Sequence, residues 1–267
     1  MDEKMTRENG LNLILPLILP LGFLLIWFFV SETGLIPDYL LPHPVEVGKT
    51  GYHYIFGEIG EAPYAGRFLD DAGASLIRVG CGFAAAVLFG LPLGIISGRI
   101  SLVQRLMNTT INALRAVPGI TWLPLAMVWF GIGIKTTIFL VALAAFFPVY
   151  LNAAVGARQV NPLLLQAGAM MGVRRLRGTF AILLPGIMPH IMTGLRLGLG
   201  ISWAYLVLGE LTGVPNGLGA VIMDARMLGR IDIIVVGIII IAVIGRLSDQ
   251  LLQTSLKLCL KSARRMC

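Results

Sequence analysis

The chain has 267 residues, of which 57% are hydrophobic and only 13% charged, far below the roughly 25% charge of soluble domains. That composition excludes an ordinary soluble enzyme and predicts an all-α integral membrane protein. A formal charge of +7 would suggest nucleic-acid binding in a soluble protein, because clustered basic residues neutralise phosphates; in a membrane chain it reports orientation, and no nucleic-acid partner is expected.

A spanning helix needs about 20 mostly apolar residues to cross roughly 30 Å of hydrocarbon. Six segments meet that length, and we expect one transmembrane domain over 1–267 with spans near Leu11–Val30, Ala74–Ser97, Thr109–Phe130, Thr137–Ala157, Gly186–Leu208 and Ile231–Leu252. The first, Leu11–Val30, carries no charge and is followed by Ser31-Glu32-Thr33-Gly34. It exceeds the 7–15 residues, roughly, of a signal-peptide core and lacks a small-x-small cleavage pattern, so it reads as an uncleaved spanning helix.

Residues 31–71 form an external cap segment, polar and punctuated by Pro37, Pro42, Pro44 and Pro63, expected to be partly helical. The second span places Gly90, Gly94 and Gly98 at four-residue intervals, and the fifth repeats the spacing with Gly194 and Gly198. Small residues spaced in this way let helix backbones approach closely in lipid, either within one subunit or across a dimer or gate.

The third span contains Arg115 and Trp122. After it, Gly131-Ile132-Gly133-Ile134-Lys135-Thr136-Thr137 approaches a phosphate-binding loop but has Ile134 where glycine must precede the lysine. The chain is therefore not expected to hydrolyse ATP itself. The fourth span leads into a segment over 159–185, expected on the cytoplasmic side. Asn161 and Pro162 suit the N-cap and first turn of a short helix running to Met171. Gly172 permits a sharp turn, Arg174, Arg175 and Arg177 follow, and Ile182-Leu183-Leu184-Pro185 leads into the fifth span.

In the fifth span, Arg196 either attracts an anion or pairs with a carboxylate, because an intramembrane charge is costly without a cavity or partner. Glu210 follows fourteen residues later, about 21 Å along a straight helix, so it is not Arg196's partner on that helix and is expected near an outer gate. Arg78 and Arg115 lie near predicted membrane edges and either snorkel or face a pore. Trp122, Trp129 and Trp203 either line a gate or serve as anchors and packing. The last span is rich in β-branched residues, but its length exceeds the roughly 3–10 residues of a strand, and lipid offers no partner to a sheet edge.

Lys4, Arg7, Arg99, Arg105, Arg158, Arg174, Arg175, Arg177, Lys257, Lys261, Arg264 and Arg265 fall on one side of this topology, against Lys49, Arg67, Lys135, Arg226 and Arg230 on the other. That asymmetry, twelve against five, places both termini in the cytoplasm. Cys81, Cys259 and Cys267 are scattered, with neither metal-ligand spacing nor a disulfide framework. His43, His53 and His190 are isolated, and neither a metal site nor a catalytic group is expected.

The run Gln166-Ala167-Gly168, three residues, Gly172, nine residues and Ile182-x-Leu184-Pro185 resembles the EAA signature of ABC importer permeases, with glutamine for the glutamate and glycine for the second alanine. Further blocks resemble the nitrate, sulfonate, taurine and bicarbonate importer permeases: Ser75-Leu76-Ile77-Arg78-Val79, Gly90-Leu91-Pro92-Leu93-Gly94, Arg115-Ala116-Val117-Pro118, Trp129-Phe130-Gly131, Gly194-Leu195-Arg196-Leu197, Trp203, Glu210-Leu211 and Gly217-Leu218-Gly219. The resemblance implies a type I importer permease of the MetI-like architecture in a bacterial cytoplasmic (inner) membrane. It implies two cytoplasmic ATPase subunits that bind the ATP and magnesium, a second permease copy and a periplasmic or lipid-anchored solute-binding protein. Gln166, Ala167, Gly168, Gly172, Arg174, Arg175 and Pro185 would couple to the ATPase, and Arg78, Arg115, Trp122, Arg196, Trp203 and Glu210 would line the pathway or its gate. The cargo would be a small anion. The main rival is a secondary transporter without an ATPase, which calls for inverted repeats with interrupted helices and a cation-coupling site; the sequence shows no convincing internal repeat.

Overall fold

The structure is a computed structural model and describes residues 2–34 and 36–259. Cys267 and the basic tail residues Lys261, Arg264 and Arg265 lie outside the described residues. Among those described, the regular structure is helical: α1 (Asp2–Glu32), α2 (Pro44–Phe56), α3 (Phe68–Arg99), α4 (Ser101–Ala116), α5 (Leu123–Phe130), α6 (Ile134–Gln159), α7 (Pro162–Met170), α8 (Arg175–Gly178), α9 (Leu184–Gly186), α10 (Met188–Glu210), α11 (Leu218–Met227) and α12 (Ile231–Cys259).

Four of these are long and apolar enough to cross a membrane: Phe68–Arg99, Ile134–Gln159, Met188–Glu210 and Ile231–Leu258. They contain four of the six expected spans with small shifts in boundary. The third expected span, Thr109–Phe130, is not one helix. Chain direction changes by 90° between Ser101–Ala116 and Gly119–Phe130. Val117 is extended at φ −73° and ψ 118°, and a 3₁₀ turn over Gly119–Trp122 leads into α5. Pro118 supplies no backbone N–H and disfavours helical geometry in the residue before it, so an apolar run that is continuous by composition breaks by covalent geometry. Counting that bent pair as one span gives five, and the described apolar part of the first helix, Ile18–Glu32, is shorter than a full crossing. Among the described residues the count is thus four, or five with the bent pair taken as one span.

The described chain falls into two compact units. One comprises residues 1–68 and Val221–Ile238, the other Leu69–Ala220 with the chain from Ile239 onward. In the first unit, α1 exposes a wide apolar surface, with Leu19 at 83% and Phe23 at 69% exposure, as expected of a lipid-facing helix. The segment after it is partly helical as expected, with Pro44 opening α2 and the His43 side chain accepting from Val45 N. Trp27 Nε1 donates to the Pro42 carbonyl at 3.1 Å. Thr50 of α2 donates to Asp232 at 2.9 Å, and Arg230 grips the same carboxylate with two hydrogen bonds.

The second unit is organised around α6. Gly90, Gly94 and Gly98 of α3 face it along one side: a Cβ on Gly94 would lie 2.5 Å from the Tyr150 carbonyl oxygen, and one on Gly98 would collide with the Ala154 carbonyl. Gly194 and Gly198 of α10 face it from another, beside Asn152, Pro148, Val149 and Ala145. Both small-residue stripes therefore serve packing within one chain, the first of the two readings of that spacing. The Tyr150 hydroxyl donates to Ser97 at 2.8 Å and ties α6 to α3 inside this contact. The apolar core beside it gathers Val149, Val160, Leu183, Ile187, Met188, Ile191 and Leu195.

Candidate functional site

The short helix expected after the fourth span is present as α7, and local chemistry sets both of its ends. Asn161 caps it by accepting from Leu163 N at 2.9 Å, and Pro162 occupies the first turn, where its missing N–H costs no hydrogen bond. At the other end Gly172 takes a left-handed φ of +79°. Gly172 N then donates to Ala169 O at 3.0 Å and Val173 N to Gly168 O at 2.9 Å. This paired closure is the Schellman motif, which satisfies carbonyls that a helix end otherwise leaves open.

Gly168, which stands where the EAA signature has its second alanine, has a physical role here. A Cβ at that position would lie 2.5 Å from the Ile182 Cδ1 atom, so the glycine makes room for the isoleucine that the signature places fourteen residues on. The outward surface of α7 and its end is apolar and exposed: Leu163 66%, Leu164 57%, Met170 91% and Met171 82%. Gln166 and Ala167 are exposed too, as are Arg174, Arg177 and Pro185. The Arg175 side chain lies outside the described residues. Behind the helix a cavity of about 820 Å³ is lined by Gln166, Gly168, Ile182, Leu183, Ile95 and Arg99, among others.

A second cluster joins one end of α3 to the end of α10. Arg78 and Glu210 are both buried, with 2% and 0% side-chain exposure, and their Nη1 and Oε1 atoms are 2.5 Å apart. Arg78 also donates to Asn216, at 2.7 Å to its carbonyl and 2.6 Å to its side-chain oxygen. The Ser75 hydroxyl lies 2.8 and 3.0 Å from the two Glu210 oxygens and accepts from Leu218 N, while Gly219 N donates to Glu210 at 2.8 Å and Gly217 N to Asp71 at 3.0 Å. Both Glu210 oxygens and both terminal nitrogens of Arg78 are thus engaged, the condition under which a buried ion pair is tolerated. Gly217-Leu218-Gly219 is the loop that wraps this pair: Gly217 has φ +127°, and a Cβ there would lie 2.5 Å from Glu210 Oε1. Arg78 therefore does not snorkel; it is Glu210's buried partner.

Arg196 resolves in favour of a carboxylate. Its Nε and Nη2 atoms donate to Asp249 Oδ1 and Oδ2 of α12, both at 2.9 Å. Trp203 is buried, donates to Ser248 at 3.0 Å and rests against Gly245, so it joins α10 to α12. Of the six residues proposed for the pathway, Arg115 and Trp122 line a cavity of about 460 Å³ at the α4–α5 break, bounded also by α6 and α10. Asn152 and Tyr205 line it with them, and neither was singled out from sequence. Nothing in their local spacing marks them, since each lies alone in an apolar span. The Arg78–Glu210 pair did leave a signal: two opposite intramembrane charges at the same end of antiparallel spans call for each other.

Between two spans, then, α7 is a short helix closed at both ends that carries an exposed apolar surface. Residues 90–255 match the family described as binding-protein-dependent transport system inner membrane component. The taurine transport system permease protein TauC of Escherichia coli (strain K12) is 35% identical over 227 residues, 85% of this chain and 81% of that one. A relative named for aliphatic sulfonates transport, SsuC of Bacillus subtilis (strain 168), is 34% identical over 233 residues, 87% of this chain and 82% of its own. The fold is that of a chain in inward-facing MetNI methionine ABC transporter structures, with a TM-score of 0.58, 17% identity and coverage of 70% of this chain and 95% of that one. The chain belongs to the binding-protein-dependent transport system inner membrane component family: it is a multi-pass permease subunit of the ABC importers.

Proposed function

We propose that this chain, acting as one permease domain, forms the translocation pathway of an ATP-driven importer for a small anion of the sulfonate, taurine, nitrate or bicarbonate type. Two cytoplasmic ATPase subunits supply the energy and bind the nucleotide and magnesium. A solute-binding protein delivers the cargo to the outer face, a second copy of the chain completes the pathway, and both termini face the cytoplasm. The names carried by the relatives TauC and SsuC support the cargo class.

The observation that carries the coupling role is α7 itself: a helix fixed by an Asn161 cap and a Gly172 closure, with Leu163, Leu164, Met170 and Met171 turned outward. An exposed apolar patch on a short rigid helix fits a protein partner. Helix ends tied to α6 and α10 let a push on that patch move the spans. Gln166, Ala167, Arg174 and Pro185, exposed in the same loop, complete the contact, and Arg175 is assigned to it by the signature alone. Arg78, Glu210, Arg196 and Trp203, engaged with protein partners, hold the framework, which leaves Arg115 and Trp122 for the pathway.

The test is affinity purification of the tagged chain from its native membrane in mild detergent, wild type beside Gly172→Asp. We expect an ATPase subunit to accompany the wild type and to be lost from a monodisperse Gly172→Asp preparation. A wild-type chain recovered folded and without an ATPase would instead favour a secondary transporter.

A further inference from the structure

Four arginines lie in the predicted spans, and three of them face a carboxylate. Arg78 is engaged by Glu210, Arg196 by Asp249, and Arg246 lies 3.5 Å from Asp249. Arg115, in the last turn of α4, has no hydrogen bond or ion pair among the described residues. It lines the cavity of about 460 Å³ at the α4–α5 break, a size within the roughly 300–1,000 Å³ of small-molecule sites.

Two other donors meet it there. Trp122 and Tyr205 line the same cavity, and neither the indole N–H nor the phenol hydroxyl has a hydrogen-bond partner among the described residues. Tyr205 reaches from α10 to the helix break, where its phenol fills the space that a side chain on Gly119 would occupy. Guanidinium and indole only donate hydrogen bonds, and a phenol donates readily. Asn152 is the remaining polar side chain of the lining, and its amide already donates to the Pro148 carbonyl at 2.8 Å. No aspartate or glutamate lines the cavity. The rest is apolar, including Leu143, Phe147, Leu151, Leu197 and Ile201.

From this geometry we propose that the cavity at the α4–α5 break is an organic-anion site that selects an alkanesulfonate-type cargo, with Arg115, Trp122 and Tyr205 donating to the anionic head and the apolar wall receiving the alkyl chain. The proposal rests on the importer reading and narrows its cargo. Nitrate and bicarbonate are polar on every side, and burying them against Phe147 and Leu151 would strip hydration without replacing it. Taurine carries an ammonium that finds no carboxylate on this wall. An unsubstituted alkanesulfonate has neither cost. A break in a spanning helix also fits a ligand site, because non-helical backbone at membrane depth is tolerated where it is buried in protein or lines a cavity.

The experiment is equilibrium binding of radiolabelled ethanesulfonate to the purified permease–ATPase complex, without the solute-binding protein, for wild type, Arg115→Gln and Arg115→Lys. Taurine and nitrate serve as competitors. Wild type is expected to bind, Arg115→Gln to bind at least about tenfold more weakly, as expected for loss of a charged hydrogen-bond donor, and Arg115→Lys to retain most of the binding. Taurine and nitrate should compete at least about tenfold less well than unlabelled ethanesulfonate, given the cost of unpaired polar burial. Equal binding by Arg115→Gln, loss in both Arg115 variants alike, no binding by wild type, or competition by taurine or nitrate matching ethanesulfonate would overturn the proposal. ATP hydrolysis by the same wild-type preparation reads the importer assignment separately: a complex that hydrolyses ATP but fails these binding criteria overturns the site alone.

Discussion

The Arg78 guanidinium and the Glu210 carboxylate meet at 2.5 Å although 132 residues separate them in the chain, and both are fully withdrawn from the surface. The pair fixes one end of α3 to the end of α10, and the backbone of residues 216–219 folds over it.

Removing one member leaves the other charged and alone. Glu210→Ala should therefore cost about 3–5 kcal/mol, whereas the paired change Arg78→Met with Glu210→Leu should recover most of that loss. Thermal unfolding in detergent, followed by intrinsic fluorescence, checks both. A Glu210→Ala variant as stable as wild type would show that the pair contributes nothing.

The loop that wraps the pair admits no side chain at Gly217. Gly217→Ala places a Cβ 2.5 Å from Glu210 Oε1 at a φ of +127°, and a left-handed backbone alone costs a non-glycine residue roughly 1–2 kcal/mol. We expect a clear fall in melting temperature. Gly80→Ala makes the control, since Gly80 is helical with open space around it and alanine there is favoured by about 0.5–1 kcal/mol.

Gly168→Val should force Ile182 out of place, because Ile182 Cδ1 occupies the space beside the glycine, and, on the proposed coupling role of α7, should weaken ATPase retention. Shortening the neighbour at the same time, as Gly168→Val with Ile182→Ala, should restore part of it. Recovery of ATPase in affinity purification is the readout. Retention by the single variant equal to wild type would show that this contact does not shape α7 for a partner.

Gly94→Leu should destabilise the single chain, not its association. Its Cβ would meet the Tyr150 carbonyl at 2.5 Å and the Ala153 methyl at 2.8 Å, and overpacking of this kind costs about 1–3 kcal/mol. The melting temperature should fall by the same amount at every protein concentration. A shift that depends on concentration would move this stripe to an interface between copies.

Much of this molecule is legible in its sequence because the physics involved is local. Hydrocarbon thickness sets the length of an apolar run, so Phe68–Arg99, Ile134–Gln159 and Met188–Glu210 were readable as spans. Asn161, Pro162 and Gly172 act on their own backbone, so α7 and its closure were readable as well. Pro118 carried the same kind of local information, yet the apolar run around it hid the 90° bend.

Tertiary structure decided which side chains meet. Glu210 chose Arg78, Arg196 chose Asp249, and both glycine stripes chose α6. It also left Arg115 unpaired in a cavity with Trp122 and Tyr205. The reason is that lipid fixes how long a helix must be but not which face it turns to which neighbour; that choice is settled by close packing of small residues and by pairing of buried charges, both of which join residues far apart in the chain.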